Sequence, residues 1–122
     1  MLAYVTLGTN NIEKSLAFYE PFMAEFGAKK LFDNGRLHFF GTGMDAPMIA
    51  VGGPYDEQTA TNGNGTMVAM PVASREDVDR IYAKALELGG TSEGEPGERV
   101  PTFYGGYVRD PDNNKICVCK IG

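Results

Sequence analysis

The chain is 122 residues long, enough for one compact domain that buries roughly two-thirds of the surface its unfolded form exposes, so a core is possible without disulfide staples. With 11 basic and 16 acidic residues the net charge is −5 and no long basic run occurs, which argues against a nucleic-acid or anionic-membrane partner and for a neutral or cationic small molecule. No stretch approaches the ~20 apolar residues of a membrane span, and Met1 leads straight into Leu2 to Leu7 with no basic segment and no apolar run of signal length, so a cytoplasmic protein is expected.

Residues 2–8 alternate, with Ala3, Val5 and Leu7 on one face and Leu2, Tyr4 and Thr6 on the other. The aliphatic face suits packing under a helix, whereas Tyr4 and Thr6 suit a partly wet concavity. Asn10 is the expected cap of a first helix, with Glu13 at the reach-back position and Ile12, Leu16, Tyr19, Met23 and Phe26 as its buried stripe. Pro21 should kink or split that helix, and Gly27 is its natural stop. Residues 29–33, 36–41 and 47–52 read as three short strands, the first two joined by Asn34-Gly35, a strong hairpin signal. Residues 52–65 are rich in Gly, Asn, Thr and Pro and read as a linker and mobile flap that includes Tyr55 and Asp56.

Residues 66–72 open a second copy of the same order. Ser74 caps a helix with Asp77 at the reach-back position, Val78, Ile81, Ala85 and Leu88 form the buried stripe, and Gly89-Gly90 ends it. Tyr4 to Met67 spans 63 residues, Asn10 to Ser74 spans 64, and Gly27 to Gly89 spans 62. A whole β-α-β-β-β module therefore repeats, giving one domain over 1–122 with modules at about 1–54 and 65–122 and a linker between. Residues 91–100 are poorly patterned. The chain closes on a hairpin whose first arm ends at Arg109 and whose second begins at Lys115, with Asp110-Pro111-Asp112-Asn113-Asn114 as the turn. Cys117 and Cys119 share a strand face about 6 to 7 Å apart, too far for an easy disulfide.

Two tandem modules ending in Tyr107-x-Arg109-Asp110-Pro111-Asp112-x-Asn114-Lys115-Ile116 resemble the vicinal oxygen chelate superfamily, which includes glyoxalase I, fosfomycin-resistance proteins, extradiol dioxygenases and bleomycin-resistance proteins. The resemblance covers essentially the whole chain. It implies an α+β fold in which two βαβββ modules form a curved, mostly antiparallel sheet, with helices on the convex side, a ligand cavity on the concave side, and a homodimer. In the metal-using members a His on the first strand, a ligand on the fourth, a His or Glu on the fifth and a Glu on the eighth bind a divalent cation. Carried over by position, these fall here at Tyr4, within 47–54, at Met67 and at Cys117, and 47–54 contains no His, Asp, Glu or Cys. Phenol, thioether and a neutral thiol do not make a site for a hard cation, so no metal and no cofactor is expected.

The expected ligand-binding residues are Tyr4, Thr6, His38, Phe40, Met67, Tyr107, Arg109 and Cys117, an apolar lining with a few polar tips. His38 is the only imidazole and the candidate catalytic acid or base, or else a histidine of the sheet surface or cavity rim. Arg109 either pairs with Asp110 and Asp112 or takes an anionic group bidentately. Three functions stay open: a metal-free small-molecule-binding protein, a protein that sequesters a bulky cationic antibiotic, and a lyase or isomerase of the glyoxalase I type.

Overall fold

The structure, a computed structural model, describes all of residues 1–122. The chain divides into two units, Met1–Asn62 and Gly63–Gly122, so that residues 55–62 belong to the first. The first contains β1 (Tyr4–Gly8), α1 (Ile12–Ala24), β2 (Lys29–Asp33), β3 (Leu37–Gly41) and β4 (Met48–Gly52); the second contains β5 (Val68–Pro71), α2 (Arg75–Glu87), β6 (Thr91–Val100), β7 (Phe103–Arg109) and β8 (Lys115–Ile121). This is the expected α+β chain of two βαβββ modules. Each unit holds its own four-stranded sheet, ordered β1-β4-β3-β2 and β5-β8-β7-β6, with the first strand parallel to the fourth and the other pairs antiparallel. No helix is long and apolar enough to cross a membrane.

The two helices are built alike. Asn11, not Asn10, caps α1 by accepting from the Lys14 N–H at 3.1 Å, and Ser74 caps α2 by accepting from the Asp77 N–H at 3.1 Å. With the cap at Asn11, the cap-to-cap step matches the strand-to-strand step. Asn10 serves otherwise: its side chain donates to the Ala60 carbonyl and accepts from the Ala60 N–H, pinning the stretch expected to form a flap. Both helices end in the same Schellman pattern, with Gly27 at φ +75° and Gly89 at φ +103°, and with Ala28 and Gly90 donating back to the Met23 and Ala85 carbonyls.

Pro21 does not split α1, which runs unbroken through it. The missing proline N–H lies in the last turn and a half, where little helix remains to disrupt. The buried stripe of α1 is Ser15, Phe18, Tyr19, Phe22 and Met23, rotated from the expected one; Ile12, Leu16 and Phe26 are only half-buried. Aromatic packing sets that rotation, since the Phe18 ring lies 4.9 Å from Tyr19 and 5.1 Å from Phe22. In α2 the stripe is Val78, Ile81, Tyr82 and Ala85, with Tyr82 in the place expected for Leu88.

The poorly patterned residues 91–100 form a full edge strand, β6, whose register against β7 slips three times. Glycine, proline and glutamate hide it from any alternation rule, because an edge strand buried on neither face needs no apolar period. The closing hairpin lies where expected. Asp110, almost fully buried, accepts from the N–H groups of Asp112 and Asn114 and from the Asn114 amide, and Asn113 takes φ +70°.

Candidate functional site

Paired strand residues share a sheet face, so register fixes where each candidate side chain lies. In the first unit Tyr4 pairs with Met48 and Thr6 with Ala50, while Leu37 pairs with Gly52 and Phe39 with Ala50. These form one face, on which the Tyr4 ring meets Phe39 edge-on at 5.0 Å and Phe32 stacks on Phe39 at 4.4 Å. Leu37, Phe39, Met48 and Ala50, with Leu31 against them, make a core cluster that contains no α1 residue. The helix therefore covers the other face, formed by Val5, Leu7, Ile49 and Val51.

His38 pairs with Val51 and Phe40 with Ile49, which puts both on the helix-covered face. They do not join Tyr4 and Thr6, and the expected lining has to be corrected at these two positions. Phe40 is fully buried core. His38 stands beside Asp33 of β2, and its Nδ1 is buried without a hydrogen-bond partner. The correction has a simple cause: both faces of β3 are apolar, so alternation shows which residues go together but not which set meets the helix.

In the second unit Tyr107 pairs with Cys117, Arg109 with Lys115, and Ala69 with Cys117, so Met67 falls on that face by alternation. Val68, Ile116 and Val108 lie on the other, together with Gly106, whose added Cβ would meet Tyr82 of α2 at 3.5 Å. Met67, Tyr107, Arg109 and Cys117 thus share the helix-free face. Met67 is exposed and Cys117 is fully buried. Burial pushes the Cys117 thiol up to about 11 and raises Cys119 in the same direction, so both are neutral thiols near neutral pH.

Arg109 takes partners that sequence did not suggest: its Nη2 pairs with Glu93 at 2.9 Å and its Nη1 donates to the Asn113 carbonyl at 3.0 Å. Sequence also missed Arg99. Its guanidinium lies 5.2 Å from the centre of the Tyr107 ring, and the Lys115 ammonium lies 5.6 Å from the same ring. The available signal was Gly94 and Gly97, bare positions on β6 over which the arginine folds.

The first unit also has an open cleft of about 960 Å³ lined by Thr9, Asn10, Arg36, Pro54, Tyr55 and Thr59, among others. Arg36 donates to the Gly53 carbonyl at 2.8 Å and stacks over Tyr55 at 5.5 Å.

A divalent cation does not fit the residues at the corresponding positions. Tyr4, Met67 and Cys117 offer a phenol, a thioether and a protonated thiol, and β4 offers only Met48, Ile49, Ala50, Val51 and Gly52. No group of three or more His, Cys, Asp or Glu side chains is placed to hold an ion.

The sequence model of the Glyoxalase/Bleomycin resistance protein/Dioxygenase superfamily matches residues 1–118. A glyoxalase/bleomycin resistance protein from Albidiferax ferrireducens T118 is 32% identical, with a TM-score of 0.91 over 100% of this chain and 99% of its own. A glyoxalase/bleomycin resistance protein/dioxygenase family enzyme from Burkholderia phytofirmans PsJN is 20% identical, with a TM-score of 0.79 over 98% of each chain. Lactoylglutathione lyase from Agrobacterium tumefaciens is 21% identical, with a TM-score of 0.70 over 98% of this chain and 92% of its own, which is a likeness of fold alone. No curated protein matches the chain.

Proposed function

The chain belongs to the glyoxalase/bleomycin resistance protein/dioxygenase superfamily, and from that premise we propose that it is a glyoxalase-like protein that binds a small molecule on its helix-free sheet surfaces without a catalytic metal. The donor chemistry carries this reading. Where the resemblance calls for imidazole and carboxylate, the chain supplies Tyr4, Met67 and Cys117, and the thiol is held protonated by burial. What replaces the ligands is aromatic and polarisable surface: Tyr4 over Phe39 in one unit, Tyr107 beside Cys117 in the other. Such surface suits an organic ligand with a planar or apolar portion. The same reading has the protein acting as a cytoplasmic homodimer.

A lyase of the glyoxalase I kind stabilises its enediolate on a metal electrophile, and Tyr4, Met67 and Cys117 do not make a site for one. His38, the one candidate acid or base, lies on the helix-covered face away from Tyr4.

Purification without chelator, dialysis against zinc, nickel, cobalt and manganese, and elemental analysis test the proposal. The expected content is well below one equivalent of any of them, with an unchanged melting temperature after EDTA. A stoichiometric metal that disappears in Tyr4→Phe or Cys117→Ala would overturn it.

A further inference from the structure

We propose that the helix-free face of the second unit recognises an anionic group of the ligand, a carboxylate or a phosphate, between Arg99, Lys115 and the phenol of Tyr107. The inference rests on the small-molecule reading above and names the chemistry of what is bound. It runs against the net charge of −5, because recognition follows the local field and not the total.

Three arginines of this unit spend their charge on carboxylates: Arg75 on Glu98, Arg80 on Asp77 and Arg109 on Glu93. Arg99 and Lys115 do not, and both lie against the neutral ring of Tyr107, at 5.2 and 5.6 Å from its centre. The two charges are therefore no farther apart than those distances laid end to end, and they repel. An anion bound beside the Tyr107 ring would screen that repulsion.

Arg99 is also held ready. Its Nη2 donates to the Glu95 carbonyl at 2.6 Å, and its guanidinium lies over the bare positions Gly94 and Gly97 of β6. A Cβ at Gly97 would come within 2.7 Å of Nη1, and one at Gly94 within 3.4 Å of Nη2. A side chain fixed this way loses little freedom on binding, and a guanidinium suits the two oxygens of a carboxylate or phosphate. Cys117, directly across from Tyr107, adds a neutral wall.

The test titrates the full chain at low salt with three aromatic probes of different charge: phenyl phosphate, benzyl alcohol and benzyltrimethylammonium. Amide and side-chain NMR shifts map the site, and calorimetry gives the affinities. Phenyl phosphate is expected to move the resonances of Arg99, Tyr107 and Lys115, to bind more weakly as salt rises, and to lose about tenfold in affinity in Arg99→Gln and in Lys115→Gln. Lys29→Gln, on an exposed strand of the first unit, should change nothing. Benzoate in place of phenyl phosphate then separates the two anion classes. If benzyl alcohol or benzyltrimethylammonium moves this face and phenyl phosphate does not, the anion inference is overturned and the small-molecule reading stands. If phenyl phosphate does not move this face the anion inference falls, and if none of the probes moves the helix-free face of either unit, the small-molecule reading falls with it. Mapping on the wild-type chain keeps the outcome independent of whether the variants fold.

Discussion

Asp110 shows how much a single side chain can decide. It is 4% exposed and accepts three hydrogen bonds within its own turn, two from main-chain N–H groups and one from the Asn114 amide. No helix or sheet ladder could satisfy those N–H groups, so the carboxylate sets the turn, and the turn sets the register that brings Tyr107 opposite Cys117. Asp110→Ala should cost about 2 kcal/mol in urea unfolding, and Asp110→Asn, which keeps the acceptor but not the charge, about half of that. A loss in Asp110→Ala no larger than that of a surface substitution would show that water replaces the carboxylate without penalty. The same attention to single residues exposes the limit of parity. His38 and Phe40 were grouped correctly with each other and wrongly with Tyr4, because Leu37 and Phe39 are as apolar as Phe40 and are buried too.

At the level of elements, the duplicated module makes a prediction that one copy alone could not. Gly27 and Gly89 occupy matching places, each in the left-handed region and each followed by an N–H that returns to the helix. An L side chain is disfavoured there by about 1 kcal/mol, so Gly27→Ala and Gly89→Ala should destabilise by similar amounts in chemical unfolding. Neither added methyl meets a neighbouring atom within 4 Å, so backbone conformation is the only cause at both sites. Widely unequal losses would mean that the two helix ends are not equivalent. These glycines and the Ser74 cap were legible from sequence because each meets a local backbone requirement. The rotation of α1 was not, since several alternative stripes on that helix are apolar and only packing of Phe18, Tyr19 and Phe22 chooses between them. Strand β6 was hidden for the opposite reason: it is edge backbone held by ladder bonds and by the pairs of Arg75 with Glu98 and Arg109 with Glu93. Arg99 was missed with it.

Across the whole molecule, the repeat was readable because strand alternation, caps and helix-ending glycines recur at nearly fixed spacing, and the family because the Arg109 to Lys115 turn closes the chain; the faces proposed to meet a ligand depended on register. The buried thiols carry a consequence for the stability of the chain as a whole. Burial raises Cys117 from its usual 9.0 to about 11 and moves Cys119 the same way. Well below pH 9 Cys117 is protonated in both the folded and unfolded states, and the folded state keeps its full advantage. Between pH 9 and 11 the unfolded chain gives up protons that the folded chain retains, so stability falls as pH rises through that window. The urea midpoint of the wild-type chain should therefore decline over pH 9 to 11 more steeply than that of Cys117→Ala, whose lower starting stability does not affect the slope. Native Cys117 should also resist alkylation until the chain is unfolded, because the thiolate is the reactive form. Parallel pH profiles for the two proteins would mean that the thiol ionises in the folded state as easily as in water, and that the face beside Tyr107 is wet.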